Sequence, residues 1–349
     1  MKVTFLDPLD GLALEMVPRF LADRDVLIAP APDQLPDGWQ DSEAVFWSSY
    51  PVDRTFIESL PKLRFMQRLG RYRARGDAAA AIEKGIPVSV LPHGTSGRVA
   101  EHTFALILGV FRGFLASHDA VLKGTNPANL EPVEQPGPAN TLNWARLPGI
   151  QSLYFKTAGI AGFGEIGACL ALLLRPFQCR VLYNKREPLT KAQEAFFGVE
   201  YAALDDLLRE SDAVSNLVPV TNATRGMLGE REFGLMKPTA YFVNTGRAAT
   251  TDETALIKAL AEKRIAGAGL DVFSFEPLPL EHPVKHLSNV LLTPHTAGGG
   301  GTPERVAGGL GGWIDTFERF AENLRRVEAG RPVLSPMAAT DPPPSGTSR

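Results

Sequence analysis

Short apolar runs alternate with helix-like or turn-like stretches through the first 91 residues. Runs of this length are typical of strands buried in a sheet. The runs are KVTFL, DVLIAP, AVFWSS, LRFMQRL and IPVSVL. Their alternation with helical segments predicts a small α/β lobe. The next segment, VAEHTFALILGVFRGFLASHDAVLK, has apolar positions at helical spacing without Pro. It predicts one long helix that bridges this lobe and the next.

The same alternation resumes at Thr157 and predicts a second, larger α/β domain. Six apolar runs follow, with helical segments between several of them. They are TAGIAGFG, CRVLYN, AVSNLVPV, AYFVNTG, AGAGLDVF and NVLLTPH. Within this domain Thr250 and Glu253 have the spacing of a capping box. We therefore expect them to open the helix DETALIKALAEKR.

Three further segments complete the chain. Residues 124–149 are rich in Pro, Asn and Gly, which predicts an extended arm or loop. After TPHTAGGGG, the segment PERVAGGLGGWIDTFERFAENLRRVEAG is expected to be helical. The remainder, 333–349, is rich in Pro, Ser, Thr and Gly and is expected to be a disordered tail.

Composition and charge favour a globular protein that acts on small ligands. The chain has 349 residues, 44% hydrophobic and 21% charged, enough for about two domains. Its net charge of -3 gives no overall electrostatic reason to bind nucleic acid or an anionic membrane. No apolar run approaches the ~20 residues of a membrane span. Cys169 and Cys179 lack a disulfide or metal pattern and are expected to be core thiols. With no targeting segment evident, we expect a cytoplasmic enzyme without a metal.

A glycine-rich turn lies between the apolar run TAGIA and the helical run ACLALLLR. It reads Gly162-Phe163-Gly164-Glu165-Ile166-Gly167. The first glycine permits a tight turn, the second lets the backbone approach a pyrophosphate, and the third lets helix pack on strand. The helix N-terminus adds free N–H groups and a partial positive charge. We expect residues 162–166 to bind a dinucleotide; the alternative is a turn that only joins a strand to a helix.

The residues at the end of the following strand indicate which dinucleotide would bind. NAD-binding sites usually place a carboxylate about 20 residues after the glycines, against the ribose 2′-hydroxyl. Here the strand RVLY ends in Asn184, Lys185 and Arg186, without a carboxylate. Two cations at this point would instead bind a 2′-phosphate. NADP(H) is therefore favoured, and NAD(H) remains the alternative if Lys185 and Arg186 are solvated surface charges.

Three polar residues follow apolar strands of the larger domain. They are Arg247 in NTGRA, Glu276 in LDVFSFEP and His295 in TPHTAG. In open α/β sheets the ligand crevice lies at the carboxyl ends of the strands. An Arg there can bind a carboxylate and polarise the adjacent carbonyl, and a His can give its proton to a developing alkoxide. A neighbouring Glu would favour the imidazolium. The set suits reduction of a 2-oxo acid.

At these residues the chain resembles the D-isomer-specific 2-hydroxyacid dehydrogenase family. The matching stretches are VAEHTFALIL, GIAGFGEIG, LMKPTAYFVNTGRA, DETALIKALAEKRIAGAGLDVFSFEPLP and NVLLTPHTAG. The resemblance implies a two-lobed α/β protein, with a Rossmann-type doubly wound parallel sheet for the cofactor and a smaller flavodoxin-like domain for the substrate. The implied bounds are 1–100 with 298–332 for the substrate domain and 101–297 for the cofactor domain. Members are commonly homodimers joined through the cofactor domain and its arm, here 124–149.

The resemblance also implies roles for single residues. Arg247 would anchor the substrate, His295 would act as acid and base, and Glu276 would be its partner. Asp271 would hydrogen-bond the nicotinamide carboxamide. Further cofactor contacts are expected in the matching turns at Val218, Pro219, Thr245 and Gly246.

The chain departs from the family in several places. The family's substrate loop usually reads G-V-G-x-D-N, whereas this chain has GRYRARGD from Gly70 onward. We expect Gly70, Arg71 and Tyr72 to line the substrate site. Arg71 or Arg73 would there bind a second anionic group, or else belong to a solvated loop. Phe155 replaces a usual Gly and Leu217 a frequent His, changes expected to adjust packing around the cofactor without abolishing its binding.

These observations predict an enzyme that uses NADP(H) to reduce a small 2-oxo acid, such as glyoxylate or hydroxypyruvate, to a D-2-hydroxy acid. Two alternatives stay open at this point. One is a formate- or phosphite-type dehydrogenase, because the same three residues suit that chemistry. The other is an NAD(H)-sensing binding protein that resembles corepressors of this fold. A metal-dependent hydrolase is disfavoured because the six histidines are scattered without ligand spacing.

Overall fold

A computed structural model of the chain describes residues 1–70, 78–91, 95–132, 142–299 and 311–337. In these residues the chain forms two parallel β-sheets with flanking helices. The two sheets confirm the α/β prediction.

The first sheet has five strands. They are β1 (Lys2–Phe5), β2 (Asp25–Ile28), β3 (Ala44–Trp47), β4 (Phe65–Leu69) and β5 (Val88–Leu91). The accompanying helices are α1 (Gly11–Phe20), α2 (Arg54–Glu58) and α3 (Ala79–Glu83). All pairings are parallel, in the order β2-β1-β3-β4-β5, which is the flavodoxin-like order.

The second sheet has seven strands, also paired in parallel. They are β6 (Thr157–Ala161), β7 (Arg180–Asn184), β8 (Val199–Tyr201), β9 (Ala213–Asn216), β10 (Tyr241–Asn244), β11 (Gly267–Leu270) and β12 (Val290–Leu292). The helices here are α4 (Ser96–Phe111), α5 (Phe114–Leu122), α6 (Glu165–Leu174), α7 (Lys191–Phe197), α8 (Leu204–Glu210), α9 (Glu230–Leu235) and α10 (Glu253–Ala261). The order is β12-β11-β10-β9-β6-β7-β8. The chain therefore reverses its direction of travel between the neighbouring strands β6 and β9, as in a doubly wound sheet.

The last described helix, α11 (Gly311–Glu328), packs on the first sheet. Its apolar face buries Ile314, Phe317, Phe320 and Leu324 in one cluster with Phe5 and other residues of that sheet. Phe5 and Phe317 stack at 5.7 Å between ring centroids. Burial of this aromatic face joins the end of the chain to its beginning.

The long helix expected after the first lobe is two helices. α4 and α5 meet at a bend of 56°, where Gly113 lies in the left-handed region with φ +56°. Apolar spacing continues across the break, so periodicity alone does not reveal it. In the described part of the chain no single helix is long and apolar enough to cross a membrane, but this bent pair meets the criterion by length and composition. Half of the residues of α4 are buried within the fold.

The sequence analysis predicted the wrong N-cap residue for α10. Thr250 lies in a short 3-10 turn, Ala248–Thr250, and its hydroxyl donates to the Arg247 carbonyl at 2.8 Å. The cap is Asp252, whose carboxylate accepts from the Ala255 N–H at 3.1 Å. Asp is as good a cap as Thr, so the spacing of Thr250 and Glu253 did not determine the choice.

The prediction of a disordered tail over 333–349 was wrong for its first five residues, 333–337. Val333 is buried against the first sheet, the Leu334 N–H donates to Asn323 at 2.7 Å, and Pro336 forms an antiparallel bridge with Ser89 of β5. The exposed edge of β5 offers backbone groups that this segment satisfies. Residues 338–349 lie outside the described part.

Neither cysteine forms a disulfide, and both pack against the core of the larger sheet, as predicted. The Cys179 thiol donates to the Leu153 carbonyl at 3.3 Å. Burial raises the pKa of this thiol to about 11. It is therefore protonated at neutral pH and a poor nucleophile.

Candidate active site

The strand order brings the predicted site residues to one edge of the larger sheet. β10, β11 and β12 are neighbours, and the carboxyl ends of parallel strands lie at the same edge. Arg247 follows β10, Asp271 follows β11 directly, and His295 follows β12. The glycine-rich turn follows β6, three strands away from β11. The edge thus has the glycine-rich turn at β6, and Arg247, Asp271 and His295 at β10 to β12.

His295 and Glu276 form a hydrogen-bonded pair. The His295 Nδ1 lies 2.6 Å from Glu276 Oε2, and Glu276 Oε1 accepts from the Phe273 N–H at 3.0 Å. An ionised carboxylate only accepts, so Nδ1 carries the proton in this bond. Nε2 is then the nitrogen that can hold or release a proton. The His295 side chain is 49% exposed, so a ligand can reach it.

Arg247 presents its guanidinium at the exposed edge. The residue is exposed, and its Nη1 donates to the Gly246 carbonyl at 2.8 Å. This carbonyl is neutral, so the bond does not compensate the positive charge of the guanidinium. Arg247 can therefore bind an anion in front of β10.

Asp271 is fully buried and holds the loop that carries His295. Its Oδ1 accepts from the Thr293 hydroxyl at 2.6 Å and from the Thr296 N–H at 2.8 Å. Its Oδ2 accepts from the Ala297 N–H at 2.9 Å. Its side chain has no exposed surface, so these bonds offset the desolvation of its charge. Contact with a nicotinamide carboxamide stays a prediction, and it would require one of these groups to move.

Steric crowding explains two of the three glycines in the 162–167 turn. Gly162 has φ +90°, and a Cβ there would lie 2.6 Å from the backbone of Leu217. A Cβ on Gly167 would lie 3.1 Å from the Gly162 carbonyl oxygen, so this glycine permits close packing of α6. Around Gly164, which caps α6, there is open space. The free backbone N–H groups of this helix N-terminus could bind a phosphate, as the sequence predicts.

The side chains between these glycines turn away from the open space. Phe163 is buried, with its ring 4.8 Å from that of Tyr183. Glu165 is also buried, and Ile166 packs against the same core. Any cofactor contact of Phe163 would therefore be made by its backbone.

Replacing Gly162 with alanine is expected to abolish dinucleotide binding or folding. The added methyl would overlap backbone atoms of Leu217 and Val218, which cannot move as a flexible side chain can, and φ +90° is strained for alanine. Binding is measured by quenching of tryptophan fluorescence on addition of NADPH. Gly198→Ala is the matched control, because this glycine also has a positive φ but open space around it. Equal binding by Gly162→Ala and the native protein would contradict the steric assignment.

Of the three residues at the end of β7, Arg186 is the most exposed. Asn184 donates its side-chain N–H to the Ala202 carbonyl at 2.9 Å, which ties it to the β8 side of the sheet. Lys185 is half-buried and Arg186 is exposed. Arg186 is thus the cation best placed to meet a phosphate from solvent.

Two buried asparagines that the sequence analysis did not select shape the turns of the site. Asn216, at the end of β9, accepts from the Val218 N–H at 3.3 Å. Asn244, at the end of β10, accepts from the Gly246 N–H at 3.1 Å. Their signal in the sequence is a polar residue closing an apolar run, in AVSN and YFVN. They position two of the expected cofactor contacts, Val218 and Gly246.

The predicted substrate loop is described only at its first residue. Gly70 has φ +89°, and its N–H donates to the Leu91 carbonyl at 2.8 Å. Arg71, Tyr72 and Arg73 lie outside the described residues. Among the described residues, no group of three or more His, Cys, Asp or Glu side chains is suited to hold a metal ion.

Known proteins resemble this chain over most of its length. The model of the NAD-binding domain of D-isomer specific 2-hydroxyacid dehydrogenases matches residues 104–297. A glyoxylate reductase of Korarchaeum cryptofilum is 36% identical over 284 residues, 80% of this chain and 77% of that protein. A glyoxylate/hydroxypyruvate reductase B of an Enterobacter species is 34% identical over 260 residues, 74% of this chain and 76% of that protein.

A solved structure of a Pyrococcus horikoshii protein has a TM-score of 0.57 and 26% identity, and the match covers 97% of this chain and 95% of that one. The extent of the family match and the identity to these relatives show the family. Together with the dinucleotide-type turn and the His–Glu pair at one sheet edge, they lead to a single conclusion. The chain belongs to the D-isomer specific 2-hydroxyacid dehydrogenase family and is an NAD(P)-dependent oxidoreductase.

Proposed function

We propose that this enzyme reduces a small 2-oxo acid to the D-2-hydroxy acid with NADP(H). The observation that carries the proposal is the 2.6 Å pair of His295 and Glu276. These two residues follow β12 and β11, and β11 neighbours β10, the strand that leads to Arg247. A proton donor and a carboxylate anchor are the two protein groups that this reduction requires. The glyoxylate reductases among the relatives support the substrate class.

In the proposed reaction Arg247 binds the substrate carboxylate and polarises the neighbouring carbonyl. His295 donates its Nε2 proton to the carbonyl oxygen as it becomes a hydroxyl. Glu276 accepts from Nδ1 throughout and stabilises the imidazolium before that transfer. A bound reduced nicotinamide would supply the hydride that forms the new C–H bond. Residues 162–164 and the N-terminus of α6 would hold its pyrophosphate.

The test is a panel of 2-oxo acids assayed with the purified enzyme. Glyoxylate, hydroxypyruvate, pyruvate and 2-oxoglutarate are each incubated with NADPH and with NADH, and absorbance at 340 nm is followed. Chiral analysis of the product distinguishes the D from the L hydroxy acid. Reduction of none of them by an enzyme that binds NADPH would contradict the proposal, as would oxidation of formate or phosphite at a higher kcat/KM.

Arg186→Ala is expected to reduce the preference for NADPH. Loss of a charge-assisted bond to the 2′-phosphate costs about 1.5 to 3 kcal/mol, so the KM for NADPH should rise about tenfold to a hundredfold. The KM for NADH should stay within about twofold, since NADH lacks that phosphate. Arg231→Ala is the control, because Arg231 is 62% exposed and already pairs with Asp205 and Glu232. Equal changes for both cofactors would overturn the NADP(H) assignment.

We also propose a discontinuous substrate domain, 1–100 with 298–332, around the cofactor domain 101–297. The packing of α11 on the first sheet supports it. The substrate would bind between the two, at the carboxyl ends of both sheets. Closure of the cleft would exclude water from the reacting carbonyl.

The enzyme is further proposed to form a homodimer through α5 and the segment before β6. This surface exposes Phe114 at 57%, Leu122 at 71% and Phe155 at 73%. Phe155 has φ +62°, a conformation that costs about 1 to 2 kcal/mol in a residue other than glycine. An exposed aromatic side chain in a strained conformation gains little within one chain. Burial against a second copy would offset that cost.

Phe155→Gly is expected to weaken the dimer without unfolding the chain. Glycine adopts φ +62° without strain, while loss of an interface aromatic costs about 2 kcal/mol or more, or roughly a thirtyfold higher dissociation constant. Light scattering after size exclusion at several concentrations measures this constant. Leu280→Ala is the control, because Leu280 is 80% exposed outside this surface. A native protein that is monomeric at all concentrations would exclude the dimer.

A further inference from the structure

Helix α4 makes polar contacts with the loops that carry both His295 and Arg247. His102 Nε2 lies 2.9 Å from the Thr293 hydroxyl, two residues before His295. The next residue, Thr103, lies 2.6 Å from the Thr245 hydroxyl, two residues before Arg247. These contacts join residues 191 and 142 positions apart in sequence. One helix therefore supports the loops after β10 and β12.

The hydrogen-bond directions around His102 follow from counting protons. The Thr293 hydroxyl has one proton and donates it to Asp271 Oδ1, since a carboxylate accepting N–H groups is ionised. The contact between Thr293 and His102 then requires Nε2 of His102 to be the donor. The same nitrogen lies 3.4 Å from Asp271 Oδ1. His102 thus holds Thr293 and faces the buried carboxylate at once.

The buried carboxylate in turn determines the backbone on both sides of His295. Asp271 accepts from the N–H groups of Thr296 and Ala297, and its own carbonyl accepts from the His295 N–H at 2.9 Å. His295 has φ +53°, an uncommon conformation for a residue other than glycine. The loop therefore needs these bonds to keep its shape, and that shape aims the imidazole at Glu276.

We propose that His102 is a positioning residue for the acid/base His295, acting through Thr293 and Asp271. This rests on the function proposed above, in which His295 supplies the proton. Small displacements of a reacting group reduce rates strongly, about a hundredfold for 1 Å. Loss of the His102 contact should therefore lower kcat and leave cofactor binding intact.

The experiment compares two kinds of substitution at two positions: deletion variants, which remove the hydrogen bond between His102 and Thr293, and conservative variants, which keep it. Thr293→Val and His102→Leu remove the contact, whereas Thr293→Ser keeps a hydroxyl and His102→Gln keeps an N–H near the original Nε2. Thr316→Val is the control, since Thr316 is buried and its hydroxyl bonds within α11. Two quantities are measured in each: amide hydrogen exchange of Thr296 and Ala297, and kcat with KM for NADPH.

In both deletion variants we expect the Thr296 and Ala297 amides to exchange about tenfold faster than in the native enzyme. We expect kcat to fall by about tenfold or more and the KM for NADPH to stay within about twofold of the native value. The conservative variants and the control should stay close to the native enzyme. Unchanged exchange in the deletions, faster exchange with unchanged kcat, or equal damage in the conservative variants would each overturn the proposal. If the native enzyme reduces no 2-oxo acid, the proposed function fails, and the exchange rates still decide whether His102 holds this loop.

Discussion

His295→Ala should lower kcat for 2-oxo acid reduction by about 10² to 10⁴-fold, the usual contribution of a positioned general acid. Without the imidazole the proton must come from water, which is neither aligned with the carbonyl nor stabilised by Glu276. Binding of NADPH should change little, because the phosphate-binding turn lies at β6 and His295 follows β12. Steady-state kinetics give kcat, and fluorescence titration gives the dissociation constant of NADPH.

A matched control separates this effect from the loss of any histidine. His286 lies in the short turn Pro283–His286 and is exposed, so His286→Ala should leave kcat unchanged. Glu276→Gln should show an intermediate loss, since it removes the charge that stabilises the imidazolium and keeps a side chain of similar size. Full activity in His295→Ala would remove this residue from the acid/base role.

Arg247→Ala is expected to reduce kcat/KM for a 2-oxo acid by about 10³-fold. A bidentate pair between guanidinium and carboxylate contributes about 4 kcal/mol, as two charge-assisted bonds of about 2 kcal/mol each, and each 1.36 kcal/mol is tenfold in rate. Arg247→Lys should recover only part of this loss, because an ammonium group keeps the charge without the planar fork. The measurement is kcat/KM for glyoxylate in the three enzymes.

A substrate without the carboxylate tests the role of Arg247 by changing the ligand instead of the protein. Glycolaldehyde has a hydroxymethyl group where glyoxylate has its carboxylate, so it cannot form the bidentate pair. The native enzyme should therefore prefer glyoxylate strongly, and Arg247→Ala should lose most of that preference. If the variant kept the native ratio of kcat/KM between the two substrates, Arg247 would not be the carboxylate anchor.

Much of the site could be predicted because its signals are local. Gly167 is required by its contact with Gly162 inside the turn, and Gly162 by its positive φ, which the spacing of the motif reflects, although the backbone beside Gly162 follows the neighbouring strand β9. Arg247, Glu276 and His295 each follow an apolar run. Parallel strands bring such positions to one edge, so the pairing of His295 with Glu276 could be anticipated before their 2.6 Å contact was seen.

Other features depend on partners far away in the chain. β8 was not predicted because Val199–Tyr201 is short and two of its three residues are exposed, so no apolar run marks it. The tail from Val333 to Met337 has a loop-like composition, yet the free edge of β5 and Asn323 hold it. In both cases a neighbouring strand supplies the hydrogen bonds that local sequence does not indicate.

The sequence by itself determined the α/β class, the dinucleotide-type turn and the three residues proposed for the reaction, because apolar periodicity and glycine spacing act over short distances. Only the tertiary structure decided how those residues are held. It broke the predicted bridging helix at Gly113, buried Asp271 behind the His295 loop, and placed His102 and Thr103 against the loops of His295 and Arg247. Such contacts arise when distant segments pack together and buried polar groups must find partners.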